Sequence, residues 1–354
     1  MSGDPYWTMP RLARATLLVL LMVGLALLIV PLAPVLLLLF AAVLFAVIFR
    51  AASDPLRKLG LPETPAVLCA VLLIVALLAG FGYLFGSQIA AQFETFSVQI
   101  NGAIAYVRAM VADLPFGSGL ADETPDMSGL AGGVVNFAFG AFGAISNVVL
   151  ILIAAVYFAL HPALYLQGIE RLLPKDNAPK VREALAASGR SLRAFMLGQL
   201  FTMTVLGVAV ALALTLIGVP SAIALGLILA LANFVPVIGP FVGAVPGILI
   251  ALTVSPQLAL YATLVYLVAQ QIEGNLLTPL VQQSTTSIPP ALLIIMLALF
   301  TTLFGITGAL LAGPLAVVIY TLVTMLWTRD ALGYDVKVPG AAKEPAPSEE
   351  ETSQ

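Results

Sequence analysis

The sequence predicts an all-α, polytopic integral membrane protein of six to eight transmembrane helices. Two of its apolar segments are broken by Gly and Pro and open to a re-entrant path, and one extracytoplasmic excursion reads as an amphipathic helix. Composition is the first observation behind this: of 354 residues, 61% are hydrophobic and only 9% charged, against roughly 25% charged in soluble domains. Mean hydropathy is +1.07, which excludes a water-soluble globule with a polar coat. The second observation is run length. Residues 17–49 form one apolar stretch, longer than the roughly 20 residues a helix needs to cross a bilayer core. The third is the lack of period-2 alternation, which excludes an outer-membrane barrel.

The elements follow in chain order from charges and turn residues. Residues 1–14 are a short arm carrying Arg11 and Arg14. The apolar stretch after it runs past the roughly 7–15 residues of a signal h-region, so it reads as a retained anchor. Segments 15–31 and 33–49 are expected as two short spans hinged at "VPLAP" (30–34), followed by a polar loop (50–65) and a third span (66–86). Residues 87–134 leave the membrane. A fourth span (136–160), a charged loop (161–193) and a fifth span (196–217) come next. The block 221–327 completes a transport region at 135–327, and 328–354 is a mostly disordered acidic tail.

Orientation follows the Lys and Arg of short loops. Arg50, Arg57 and Lys58 occupy one loop, and Arg171, Lys175, Lys180, Arg182, Arg190 and Arg193 another, whereas the 87–134 excursion has Arg108 as its sole basic residue. This expectation puts both termini and both basic loops in the cytoplasm of a bacterial inner-membrane protein. Within the excursion, Ile89, Phe93, Phe96, Ile100, Ile104, Val107 and Val111 recur at helical spacing, the stripe of an amphipathic helix that packs on a neighbour.

Two segments of the second half cannot be plain helices. "NFVPVIGPFVGAVP" (233–246) contains Pro236, Pro240 and Pro246, each lacking a helix N–H and clashing one turn back. Backbone groups freed in hydrocarbon must be buried in protein or line a wet cavity. Gly239, Gly243 and Gly247 repeat every fourth position, which permits close backbone approach. The second interruption, at 299–319, holds Gly305, Gly308, Gly313 and Pro314. Paired broken segments of this kind point to a secondary transporter's binding site. If each crosses once there are eight spans, and if each is a hairpin there are six.

Between Arg193 and Arg329, Glu273 is the only formally charged side chain. An ionised carboxylate at mid-membrane costs about 2.5–3.5 kcal/mol on the insertion scale. A proton, a Na⁺ ion, a helix N-terminus, nearby amides or a basic group from elsewhere in the fold would have to offset that. Gln270, Asn275 and Thr278 surround it in sequence and Asn233 precedes the first break; these five are the expected substrate or ion pathway. Gly274 and Pro279 predict that the helix ends or unwinds just past Glu273. A capped helix end is the structural alternative.

"NFVPVIGPFVGAVP", "IEGNLLTP" (272–279), "LFGITGALLAGPLAVVI" (303–319) and the lead-in "SLRAFMLGQLF" (191–201) together resemble the autoinducer-2 exporter family of bacterial transporters. The resemblance covers nearly the whole chain in order and spacing. It implies export of a small polar solute such as autoinducer-2, or in some members Na⁺(Li⁺)/H⁺ antiport. It carries family positions onto Pro236, Gly239, Pro240 and Pro246, onto Glu273, Asn275 and Pro279, and onto Gly305, Gly308 and Pro314. "SIPP" (287–290) and "TTLFG" (301–305) depart from the family's usual His-Pro and glycine pair, which weakens any transfer of substrate.

Other functions find less in the chain. No P-loop, Gly-x-Ser-x-Gly elbow or His-Glu-x-x-His occurs, so neither ATP coupling nor an intramembrane enzyme is expected. His161 and Cys69 are each alone and cannot build a zinc site; Cys69 reads as a small buried hydrophobe. The net charge of −3 does not suggest nucleic acid. No cofactor is expected beyond a coupling H⁺ or Na⁺. The expected partners are a small-molecule or ion substrate, the lipid bilayer and further copies of the chain. A non-transporting membrane scaffold remains the competing reading.

Overall fold

The computed structural model describes residues 9–77, 79–80, 102, 145–279 and 288–336, with backbone alone for most of 9–30 and for 145–147. The 87–134 amphipathic helix and the 337–354 tail therefore lie outside the described residues, save Gly102. Every regular element among them is helical, as the composition requires. α1 spans Met9–Lys58, α2 Glu63–Leu77, α3 Ile145–Leu160 and α4 Pro162–Arg171. α5 spans Ala178–Leu216, α6 Ala222–Ala232, α7 Ile238–Val254, α8 Pro256–Ile272 and α9 Pro290–Leu322.

The first half departs from expectation in four places. Residues 15–31 and 33–49 are not two hinged spans, because α1 runs through Pro31 and Pro34 to Lys58 as one helix. A proline inside a helix removes one hydrogen bond, and the surrounding apolar run sustains the rest. Arg11 and Arg14 thus sit at the opposite end of α1 from Arg57 and Lys58. The polar "loop" 50–65 shrinks to a turn between α1 and α2. The 161–193 "loop" is mostly helix: α4, then the first turns of α5. At His161 the chain bends by 84°, because Pro162 disfavours helical geometry in the residue before it. α4 has no buried residue. Cys69 is exposed on α2, against the expectation of burial.

Most ion pairs among the described residues gather at one pole. Arg50 bonds Glu63 at 2.6 Å and donates to the Ala159 carbonyl at 2.8 Å. Arg193 pairs with Asp54, and Arg182 with Glu170 at 3.2 Å. Arg329 grips Glu183 through two nitrogens at 2.9 and 3.2 Å. These bonds bring the ends of α1 and α3, the start of α5 and the end of the α9 segment together. The bundle away from this pole exposes Leu, Val and Ile, such as Val35, Leu72 and Leu212, as a surface facing lipid must.

Both Gly/Pro-rich segments fold back on themselves. In the first, α6 and α7 are only 11 and 17 residues long, about 17 and 26 Å at 1.5 Å per residue. Neither matches a bilayer core of about 30 Å. A Cβ on Gly243 would lie 2.7 Å from the Leu229 Cα, and one on Gly239 2.6 Å from the Asn233 Cα, so α7 runs back along α6. In the second, Gly305 adopts φ 61°, ψ −144°, a conformation open to glycine and strained for other residues. A Cβ on Gly308 would strike the Phe300 carbonyl. In a straight helix those positions are about 12 Å apart, so the leg 290–304 folds sharply against the leg after it. Hairpins are the outcome in both places.

Proline positions need one correction. Pro236 lies in the turn that ends α6, but Pro240 sits in the first turn of α7, and Pro246 and Pro314 are inside helices. Three prolines interrupt 233–246 only once, because Pro240 in the first turn lacks nothing the helix uses and α7 continues through Pro246 at the loss of one hydrogen bond.

Candidate functional site

The tip of the first hairpin is residues 233–237. Val235 precedes Pro236 and so resists helical geometry; the Phe234 and Val235 amides still donate back to Leu231 and Ala232 at 3.2 and 3.0 Å. The Ile238 amide donates to the Pro236 carbonyl at 2.9 Å, closing a γ-turn around Val237, whose φ is 73° and ψ −50°. A β-branched residue there is strained. The two hairpins meet at this tip: Val235 packs with Leu297, Phe300, Ala309 and Ala312, and Phe234 joins a cluster with Phe304 and Leu311.

Asn233, the C-cap of α6, is 1% exposed. Its backbone carbonyl accepts from Gln199 Nε2 of α5 at 2.5 Å. Its side-chain Nδ2 donates to Glu273 Oε1 at 3.0 Å. Its Oδ1 is buried with no hydrogen-bond partner among the described residues, an arrangement rare in native interiors. The broken backbone and the solitary acid are therefore in direct contact.

Glu273 arrives by a different route. Ser255 caps α8, accepting from the Leu258 amide at 3.1 Å, and Pro256 supplies the first-turn position. α8 packs antiparallel on α7 and ends where α6 ends. At Glu273 the helix does not stop, as Gly274 and Pro279 suggested. It widens into a π-helical turn, Glu273–Leu277, a form common at functional positions. The half-buried carboxylate makes no ion pair among the described residues.

The remaining pathway residues do not converge on this pair. Asn275 Nδ2 donates to Gln271 Oε1 at 3.0 Å, one turn away on the exposed face. Gln270 is also exposed and Thr278 half-buried; among the described residues neither bonds Asn233 or Glu273. Gln270, Gln271 and Asn275 make an amide strip on the outside of the bundle.

Four residues escaped the sequence reading. Gln199 is a lone amide inside an apolar helix, which was the available signal. Tyr266 buries its hydroxyl with no partner among the described residues, over Gly247, where any Cβ would collide with it. Gly207 and Gly226 seat α5 on α6: a Cβ on Gly207 would lie 2.6 Å from the Ala230 Cβ. The pattern Gly-x-x-x-Ala at 207–211 and again at 226–230 announces it.

Depth follows from α5. Gln199 lies six residues beyond Arg193, about 9 Å along the axis, so the pair sits just inside the apolar region beneath the charged pole.

The sequence profile of AI-2E family transporters matches residues 16–327. Among known proteins the chain is similar to YueF of Bacillus subtilis strain 168, named as a candidate transport protein, at 26% identity over 79% of this chain and 82% of that one. It is similar to MT0215 of Mycobacterium tuberculosis, named likewise, at 26% identity over 74% of each chain. YrrI of Bacillus subtilis is 33% identical over 42% of each. With the match spanning the broken hairpins, the π turn and the helices that hold them, the chain belongs to the AI-2E family of membrane transporters.

Proposed function

We propose that the chain is a secondary transporter that exports a small polar solute such as autoinducer-2, driven by an ion gradient, with the Asn233–Glu273 pair as its coupling site. The carrying observation is that pair: the one acid of the apolar half is bonded at 3.0 Å to a buried amide at the tip of a folded-back hairpin. One neutral hydrogen bond, worth about 1.5–3 kcal/mol to a charged group, does not offset removing a carboxylate from water. A proton on Glu273 completes the balance. A monovalent cation held by the carboxylate and the unpartnered Asn233 Oδ1 does the same. Either ligand makes the tip's packing depend on ion occupancy, which is what coupling requires. The exposed amides Gln270, Gln271 and Asn275 offer donors and acceptors to a polyhydroxylated solute.

Cation/proton exchange is the second reading. It is favoured by the chemistry in contact at the tip, which is one carboxylate and one amide and no hydroxyl cluster suited to a polyol. A proteoliposome flux assay separates the two by comparing autoinducer-2 with Na⁺ and Li⁺, with and without an imposed pH gradient. Solute efflux that needs the gradient supports export, and Na⁺ or Li⁺ flux that collapses the gradient supports exchange. No flux of any of them contradicts both. The basic pole, with the 50–65 and 161–193 segments, faces the cytoplasm on this reading.

A further inference from the structure

At the charged pole, away from the Asn233–Glu273 pair, the end of α1, the start of α2 and Arg193 of α5 enclose an open cleft of about 670 Å³ lined by Ala51, Asp54, Pro55, Arg57, Lys58, Leu61, Glu63 and Arg193. Its two acids are already engaged. Asp54 is held by Arg193, and Glu63 by Arg50 from outside the lining at 2.6 Å. Arg57 reaches Asp54 only at 3.9 Å, and Lys58 has no ion partner among the described residues. The charge left over is therefore positive, and it stands on the adjacent residues Arg57 and Lys58.

The rest of the lining is apolar, from Ala51, Pro55 and Leu61. Farther along α2, Leu68, Leu72 and Leu73 are exposed on its apolar outer surface. A soluble anion has no use for the apolar lining. An amphiphile does: its phosphate meets Arg57 and Lys58, its glycerol region the small apolar residues, and its acyl chains the α2 leucines. Basic pockets between helices on the cytoplasmic side hold anionic headgroups by this logic.

We infer that this cleft is a binding site for the headgroup of an anionic phospholipid, gripped by Arg57 and Lys58 and bridging α1, α2 and α5. The site is independent of the transport reading.

Native mass spectrometry of the delipidated full-length chain in neutral detergent tests it, with phosphatidylglycerol and phosphatidylcholine as probes. The wild type should retain phosphatidylglycerol and not phosphatidylcholine. Arg57→Gln/Lys58→Gln should bind phosphatidylglycerol about thirtyfold more weakly, from about one unit of surface attraction per basic residue. Lys175→Gln/Lys180→Gln, on the same pole outside the cleft, should bind as the wild type does. Both variants change exposed residues, and the melting temperature of each reports whether it is folded; Arg57→Lys should restore most of the affinity if the glutamine pair unfolds. Equal retention by the cleft variant would overturn the proposal. So would an equal loss in the Lys175/Lys180 control, which would mean diffuse attraction, or displacement of the lipid by millimolar inorganic phosphate, which would mean a soluble-anion site.

Discussion

The amide of Asn233 and the carboxylate of Glu273, 40 positions apart in the chain, are joined by a 3.0 Å hydrogen bond. Two elements that end at the same depth deliver them: a short helix stopped by a proline turn, and a longer helix that widens into a π turn. Gln199 fixes the first element through the Asn233 backbone at 2.5 Å, which leaves the side chain free to serve the acid.

Glu273→Gln keeps an acceptor for Asn233 but can neither release a proton nor attract a cation. Gradient-driven flux should fall at least about tenfold, the worth of one charge-assisted bond, with folded protein at wild-type abundance. Wild-type flux at equal abundance would remove Glu273 from the mechanism.

Asn233→Asp sets a second carboxylate against the first. Two acids this close cannot both ionise readily, so the apparent pH optimum of flux should move upward relative to the wild type, as one proton is held to higher pH. An unchanged pH profile with normal flux would show that the two side chains do not share a site.

Gly243→Leu forces a side chain into Leu229, which already lies 2.5 Å from where a Cβ would be. Overpacking of this kind costs about 1–3 kcal/mol and often more against backbone. A clear fall in melting temperature in detergent is expected; an unchanged one would argue against the tight α6–α7 contact.

Arg329→Ala removes the Glu183 contact that pins the end of the second hairpin's outgoing leg to α5, along with the bond to the adjacent Asp330. The guanidinium is partly exposed, so screening limits the loss to about 0.5–1 kcal/mol. The difference in melting temperature from the wild type should shrink in high salt.

Composition, with 61% hydrophobic content, pointed to lipid as the solvent, and run length with the lack of period-2 alternation made the fold helical. The proline turn at 236 and the reversal at Gly305 were legible as breaks, since a missing N–H and a positive φ are local properties. Their form as hairpins was not, because it depends on Gly239, Gly243 and Gly308 finding particular partners across the fold. Asn233 and Glu273 stood out in sequence, one beside the break and one as a lone charge. Asn275 did not belong with them, since four-residue spacing on an outer face ties it to Gln271. The continuity of α1 through Pro31 and Pro34 was hidden because a proline's cost is local while the apolar run on either side supports one helix.

The central claim is that Asn233 and Glu273 act as one unit in ion-coupled transport. A double-mutant cycle in proteoliposomes tests it directly, measuring pH-gradient-driven flux for Asn233→Ala, Glu273→Gln and the pair at matched protein density. The account predicts that the double variant is no worse than the more damaging single one, with a coupling of about 0.5–3 kcal/mol between the sites. Losses that simply multiply would show two residues working independently and would contradict it.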